Sequence, residues 1–574
     1  MKEKCNRLIA IIKQHPFTAI LIVIAAILHL LIILPSGSHY CFNGYCGDFF
    51  WGVHEHDGIW HIAVAESAFK TFPPRNPIFE GSILSGYNSL LDFVLFLVGR
   101  LGIPSIITYF KILPIIWFIG FTYISLKLSN KWSKNPFFSF IFIFLNYFGA
   151  SFSFFIPLIK NGTITGSASL LSMQAILTLT NVQLAYSYIF LLWIILILLD
   201  KKATKKNIAL LCLFLFIQWG LKFYAGFIST IIVGVFFLLL WIKERKFLHI
   251  LILFFITVSS IVSIVLNYNP FGQLSNGGLP FKFDPLALIW PLIEDPSMFY
   301  SYYWSNAKYT LLSSPNVSPR LIGLMIVLVL IYVFLNLGPR IVGLLFLIKK
   351  GVLKKMTEID LGIMIGILFS LAFPIFFIQR GIWWNTVQFW FPIFLLLNIY
   401  TAEYIARIKS KYLLLFTTIL IVGLSIPYSI DVLKSYYTYP GVINVSDSEK
   451  KALNFLKELP DGVVYSPLYK PKGILNKNGF IPLFNHVDSS YISAYTGKQS
   501  FYTNYVQLDL LNVSYKERKA QIEQGNCKIL KNISYVYFHI SQLNDLFVSR
   551  CVFMSKSFSQ TYSSEGFTIY SKIK

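Results

Sequence analysis

The sequence predicts an all-α polytopic membrane bundle of about 11 transmembrane helices, followed by a C-terminal extracytoplasmic α/β domain. Three observations predict it. The chain is 55% hydrophobic and only 13% charged, with a mean hydropathy of +0.63. Apolar runs long enough to cross a hydrocarbon core recur through the first 430 positions. Beyond about position 440 these runs stop, and charged and aromatic residues alternate.

Taken in order, the apolar runs place spans near 17–35, 106–126, 136–157, 181–199, 207–221, 223–242, 247–267, 319–337, 360–378, 387–405 and 412–430. The net charge of +23 excludes neither membrane nor nucleic acid by itself, but its distribution decides. Basic residues cluster in alternate short loops: Lys127, Lys131 and Lys134, then Lys201, Lys202, Lys205 and Lys206, then Lys349, Lys350, Lys354 and Lys355. That bias places the N-terminus in the cytoplasm of a multi-pass protein of the inner or plasma membrane and argues against nucleic acid. The N-terminal 16 residues read as the flank of an uncleaved anchor.

An odd number of crossings puts the tail outside. Three long segments, 36–105, 158–180 and 268–318, then fall on the same outer side. The apolar stretch Leu90–Leu101 fails this parity and reads as a re-entrant or interface-lying helix. A short surface helix is expected over His61–Thr71. The domain division is 1–440, the membrane domain with its large first loop (36–105), and 441–574, a soluble α/β domain.

In that tail, Ser446-Asp447-Ser448-Glu449 is a capping-box pattern opening an amphipathic helix through Leu459. Val463–Tyr465, Ile533–Phe538 and Phe567–Tyr570 read as strands. Cys41 and Cys46 lie close together in the first loop, and Cys527 and Cys551 lie in the tail. Either pair suits a disulfide in an oxidising compartment, and four free thiols is the alternative.

The chemistry concentrates in the first loop, at His54-Glu55-His56-Asp57-Gly58-Ile59-Trp60-His61. Two carboxylates and three imidazoles in eight residues are unusual in so apolar a chain, and ionisable groups at a membrane surface mark functional sites. An ordinary wet loop is the alternative. His-x-His beside a carboxylate suits a divalent metal, although histidines in a wet loop more often only hydrogen-bond. Elsewhere, Lys222 sits between two spans with no loop to solvate it, and Arg380 sits at a span end beside Trp383 and Trp384. Both are cations on the side that the charge bias leaves poor in cations. Arg320 is a third, at the start of the eighth span. Snorkelling to headgroups is their alternative role.

Several stretches together resemble the GT-C superfamily of polytopic glycosyltransferases. These are Asp57 just after the first span, Phe72-Pro73-Pro74, Met173-Gln174 with Asn181-Val182-Gln183, Gly220-Leu221-Lys222-Phe223-Tyr224-Ala225-Gly226, and Gln379-Arg380-Gly381-Ile382-Trp383-Trp384-Asn385-Thr386-Val387-Gln388-Phe389. Ser493-Ala494-Tyr495-Thr496-Gly497 and Arg518 complete the pattern in the tail. The resemblance implies transfer of a sugar from a polyprenyl-phosphate carrier to a glycan, lipid or protein acceptor by inverting displacement. It implies Asp57 as the base for the acceptor hydroxyl, with Glu55 as runner-up and helix capping as Asp57's alternative role.

Lys222 and Arg380 are then candidate partners of the departing phosphate. His56, His61, Trp383, Trp384, Asn385 and Gln388 are candidate substrate contacts, the last two alternatively bonding helix to helix. Tyr491, Tyr495 and Arg518 are further candidate contacts in the tail. No cofactor is certain; a divalent cation (Mn or Mg) is the candidate, since some members of the superfamily need one and many do not. Two other classes compete: a transporter or flippase of a lipid-linked or polar substrate, and a non-catalytic envelope-assembly factor on the same scaffold. No inverted repeat shows in the hydropathy, and ionisable residues cluster in loops rather than mid-span, which disfavours transport.

Overall fold

The computed structural model describes residues 16–50, 54, 56–165, 181–201, 204–271, 281–313, 318–436, 443–467, 480–486 and 488–573. Among these, nine helices are long and apolar enough to cross a membrane, making this a multi-pass membrane protein. They are Pro16–Ile33, Ser105–Trp132, Val182–Leu199, Phe223–Glu244, Phe247–Tyr268, Pro319–Val352, Glu358–Phe376, Trp383–Ala406 and Lys411–Lys434.

The two remaining expected spans are also helical but shorter, at Pro136–Phe148 and Lys205–Leu221. The first ends nine residues before the predicted 157. Its 13 residues rise only about 20 Å. The stop has a packing cause: a Cβ at Gly149 would collide with the Leu145 carbonyl and the Arg340 guanidinium. Arg340 is itself buried, its Nε donating to Asn398 Oδ1 at 2.9 Å. The eighth span runs past its predicted end because Gly338–Arg340 forms one 3-10 turn and Ile341–Val352 continues as helix.

The chain divides into two compact units. The helical unit comprises 1–30, 116–263 and 281–435. Its only sheet among the described residues is an antiparallel pair, β3 (Phe281–Phe283) with β4 (Phe377–Gln379).

The second unit comprises 31–115, 264–280 and 436–574, so residues of the first loop and the tail fold together. One of its sheets has the order β1-β2-β5-β7: the hairpin β1 (Ser38–Phe42) and β2 (Tyr45–Phe50), then β5 (Ile443–Ser446) and β7 (Ile481–Pro482). The other has the order β10-β11-β9-β6-β8, from β6 (Val463–Tyr465), β8 (Gln499–Ser500), β9 (Tyr535–His539), β10 (Phe558–Ser564) and β11 (Phe567–Lys572). Strands β6, β8 and β9 pair in parallel, while β9, β11 and β10 are antiparallel. The three strands expected in the tail are β6, β9 and β11. Both cysteine pairs are disulfides, Cys41–Cys46 and Cys527–Cys551. The first closes the β1–β2 hairpin, whose register sets the two cysteines opposite each other.

Of the two helices expected in the first loop, the one over His61–Thr71 differs from expectation. Leu90–Arg100 is a helix of 11 residues, rising about 16 Å, too short to span. It buries Leu91, Asp92 and Leu95, and leaves Phe93, Val94 and Leu97 exposed. The expected surface helix begins earlier, at Asp57, and runs to Ser67; it does not lie on a surface. Residues Gly58–Ala65 and Ser67 are all buried. Trp60, Val64 and Ala68 enter a core with Ile78, Phe79, Tyr465, Phe501 and Leu508. Of the helix's polar residues, His61 is buried against Asp92, and Glu66 accepts from Ser105 Oγ.

The amphipathic tail helix forms over Asp447–Glu458, burying Ala452, Leu453 and Leu456. Half of its capping box forms: Ser446 Oγ accepts from the Glu449 N–H at 3.1 Å. The Glu449 carboxyl is instead buried, with Tyr537 OH donating to it at 3.3 Å. Burial pushes its pKa up to about 8. The folded protein therefore holds a proton that the unfolded chain releases above about pH 4.3. Stability should fall as pH rises from there to about 8, by up to ~1.4 kcal/mol per unit, and level off above. Unfolding midpoints across pH 4–9 are expected to show this slope in the wild type and a flatter curve in Glu449→Gln.

Candidate functional site

Asp57 opens the buried helix, so its backbone is held while its carboxylate stays 38% exposed. The capping alternative does not match the geometry: Asp57 is the first helical residue, and His56, at the cap position, makes no side-chain cap bond. The helix is fixed close behind Asp57. A Cβ on Gly58 would lie 2.6 Å from Phe110 Cζ, 2.7 Å from Phe110 Cε1 and 3.3 Å from Tyr109 Cε1. Phe110 is itself buried, in ring contact with Phe50 and His54. Gly58→Ala is therefore expected to cost about 1–3 kcal/mol of stability by overpacking, visible as a lower unfolding midpoint.

The three histidines do not share one role. His54 is buried, with its Nδ1 2.6 Å from Ser36 Oγ. Burial, with a smaller contribution from the Lys111 ammonium, pushes its pKa down to about 3, so it stays neutral. Lys111 Nζ donates to the carbonyls of Ile33, Leu34 and Ser36 at 2.6, 2.8 and 2.6 Å, tying off the end of the first helix. His61 is also buried. Its Nδ1 meets Asp92 Oδ1 at 3.0 Å and Tyr87 OH at 3.0 Å, and its ring stacks on Tyr109. It is an internal anchor of the Asp57 helix, well placed to fix that helix against Leu90–Arg100.

His56 alone of the three is at the carboxylate. Its Nε2 lies 3.2 Å from Asp57 Oδ1, and its Nδ1 lies 3.3 Å from Asp488 Oδ2. His486 Nδ1 is 4.0 Å from the other Asp488 oxygen. Burial lowers the His486 pKa. Asp488 and His486 carry no sequence signal of their own; they sit in an unremarkable stretch of the tail. Asp92 did carry one, as the lone acid in the apolar run from Leu90 to Val98.

Among the described residues the three histidines do not converge on one site. His54 and His61 are turned into separate buried pairs, and Asp57 and Asp488 face opposite edges of the His56 ring. Among the described residues no group of three His, Cys, Asp or Glu side chains could hold a metal ion. Glu55 and Met173-Gln174 lie outside the described residues.

In the helical unit, Lys222 is the single extended residue between Lys205–Leu221 and Phe223–Glu244, and it is 8% exposed. The surrounding motif has a packing reason. A Cβ at Gly226 would lie 2.8 Å from Trp219 Cα, so glycine lets the two helices meet closely just beyond Lys222. Two residues on, Tyr224 OH donates to Gln379 Oε1 at 3.1 Å. The β3–β4 pair fixes Gln379, and the chain then turns at Gly381 with φ of +82°. Asn385 Nδ2 donates to Gln379 Oε1 at 2.7 Å and to Tyr224 OH at 3.2 Å, while Gln388 Nε2 donates to Asn385 Oδ1.

Asn385 is thus engaged within the protein, the helix-joining role foreseen as its alternative. The side-chain oxygen of Gln388 is buried with no hydrogen-bond partner among the described residues. Arg380, Arg320, Trp383 and Trp384 are exposed.

The tail residues named as contacts are mostly internal. Tyr495 OH donates to Asp48 Oδ2 at 3.1 Å, and Tyr491 is buried. Arg518 Nη1 donates to the Glu80 and Phe501 carbonyls, and its guanidinium lies 3.8 Å from the centre of the Phe79 ring. Tyr495 and Arg518 join tail to first loop, while the Tyr491 ring meets Tyr537 within the tail.

No family model matches the chain, and no curated protein matches it. Similar solved structures exist at low identity. The oligosaccharyltransferase of Archaeoglobus fulgidus, solved in complex with Zn and sulfate, is 13% identical with a TM-score of 0.48, over 96% of this chain and 73% of that one. The archaeal oligosaccharyltransferase AglB from Archaeoglobus fulgidus, in complex with an inhibitory peptide and a dolichol-phosphate, has a TM-score of 0.45 at 13% identity, over 98% of this chain and 75% of that one. ArnT from Cupriavidus metallidurans has a TM-score of 0.39 at 9% identity, over 98% of each chain. At these identities the likeness does not assign an activity to this chain.

Proposed function

We propose that the protein is an integral membrane glycosyltransferase that moves a sugar from a polyprenyl-phosphate carrier to an extracytoplasmic glycan, lipid or protein acceptor. Asp57 is the base, removing the acceptor hydroxyl's proton as the oxygen attacks the anomeric carbon. The carbon–oxygen bond to phosphate breaks, and its electron pair leaves with the phosphate. In the helical unit, Lys222, a buried point charge, and Arg380, an exposed fork of donors, are the proposed phosphate-binding cations. Trp383 and Trp384 supply aromatic surface for the sugar or prenyl chain.

The observation that carries this reading is the presentation of Asp57: a half-exposed carboxylate on a rigid, buried helix, with an imidazole at hydrogen-bonding distance. Two disulfides in the same unit support an oxidising, extracytoplasmic side for it. The basic loops between spans support an N-terminus in the cytoplasm.

The test is purified protein with a panel of polyprenyl-phosphate sugars and a mixed glycan, lipid and peptide acceptor set, comparing wild type with Asp57→Asn. Transfer by wild type and its loss in the variant are expected. Equal transfer by both would remove Asp57 as the base, and no binding of any lipid donor would remove the reading altogether.

A further inference from the structure

His56 stands between two carboxylates from opposite ends of the chain. Asp57 lies on its Nε2 edge at 3.2 Å and Asp488 on its Nδ1 edge at 3.3 Å. An imidazole so placed can accept a proton at one nitrogen while giving up another at the far one. Asp57 and Asp488 are both partly exposed, at 38% and 29%, so each end of the chain of groups reaches water or substrate. Among the described residues, the other titratable groups facing this set are His486, 4.0 Å from Asp488, and Tyr87, which feels the charge of Asp57.

We propose that Asp488 is a positioning residue that orients His56 against Asp57, and that His56 and Asp488 together carry away the proton Asp57 collects in each turnover. The proposal rests on Asp57 being the base. The steps balance. Protonated Asp57 donates its proton to His56 Nε2, His56 gives its Nδ1 proton to Asp488, and Asp488 releases it to water. A rotation of the ring or a proton exchange with water restores the tautomer. No oxidant, metal or second substrate is needed. The group that resets the base is supplied by the tail, so the base is complete only when the tail is seated.

Two measurements on the full-length protein in detergent test this. The first needs no turnover: hydrogen–deuterium exchange at the His56 imidazole carbon, followed by mass spectrometry across pH, reports its titration midpoint. Removing the facing negative charge in Asp488→Asn should lower that midpoint by about one pH unit. Asp488→Glu, which keeps the charge, should restore most of it.

The second is transfer kinetics with a polyprenyl-phosphate sugar. Asp488→Asn should lower kcat about tenfold with the donor KM unchanged, and should displace the acid limb of the pH–rate profile. A merely structural role would lower the rate equally at all pH and would lower the unfolding midpoint. An unshifted His56 titration, alongside an inactive Asp57→Asn, overturns the relay alone. A shifted titration with full transfer by Asp57→Asn overturns the base reading and the relay with it.

Discussion

Asp57→Asn is expected to reduce sugar transfer about 100- to 10,000-fold, with little change in stability or donor KM. Asparagine has the same shape and can still hydrogen-bond His56, but it cannot take up a proton at neutral pH. The carboxylate is half-exposed, so its replacement leaves no buried group stranded, and surface changes of this kind usually stay within about 0.5 kcal/mol. A negative charge in the first turn of a helix is worth about 0.3–1 kcal/mol, which sets the most that a capping role could cost. A loss of two orders of magnitude or more with an unchanged unfolding midpoint would therefore separate base from cap. If the rate falls only in proportion to stability, the catalytic role is wrong.

Asp48→Asn is expected to destabilise the protein by about 2–4 kcal/mol. Asp48 lies on β2 and is 6% exposed. One oxygen accepts from Lys450 Nζ at 2.8 Å and faces His39 Nδ1 at 3.2 Å, and the other accepts from Tyr495 OH at 3.1 Å. A single carboxylate thus joins the β1–β2 hairpin, the Asp447–Glu458 helix and the Tyr491–Thr496 helix. Asparagine removes the charge and turns a donor toward at least one of these donors.

Breaking a fully buried pair costs about 3–5 kcal/mol; Lys450 keeps 30% exposure and can recover part of its hydration, which lowers the figure. Chemical or thermal unfolding in detergent measures the loss, and Lys450→Met in a double-mutant cycle isolates the pair. A loss below about 0.5 kcal/mol would show that Asp48 does not join these elements.

Local pattern made much of the architecture legible. Each of the eleven expected spans contains a helix, because an apolar run in lipid must satisfy its own backbone and can do so only as a helix. Where the boundaries moved, a tertiary contact moved them: Gly149 stops Pro136–Phe148 to make room for Arg340, and Gly338–Arg340 lets the eighth span continue. The site was legible in part. The acid-rich octapeptide stood out by composition, and the break at Lys222 stood out by charge. Which histidine mattered was not readable, since His54, His56 and His61 are alike in sequence and differ only in what packs around them. Burial neutralises the first, Asp92 engages the third, and the second is left at the carboxylate.

By itself, then, the sequence determined a helical, multi-pass chain with a mixed α/β tail, and it marked two candidate cysteine pairs and a loop after the first span crowded with ionisable residues. Hydrophobicity, charge bias and period are short-range properties, and these conclusions need nothing else. Only the tertiary structure decided that first loop and tail make one unit, that Asp57 starts a buried helix rather than ending a wet loop, and that Asp488 faces it across His56. Such convergences depend on side chains far apart in the chain packing to within hydrogen-bonding distance, and no local pattern encodes that distance.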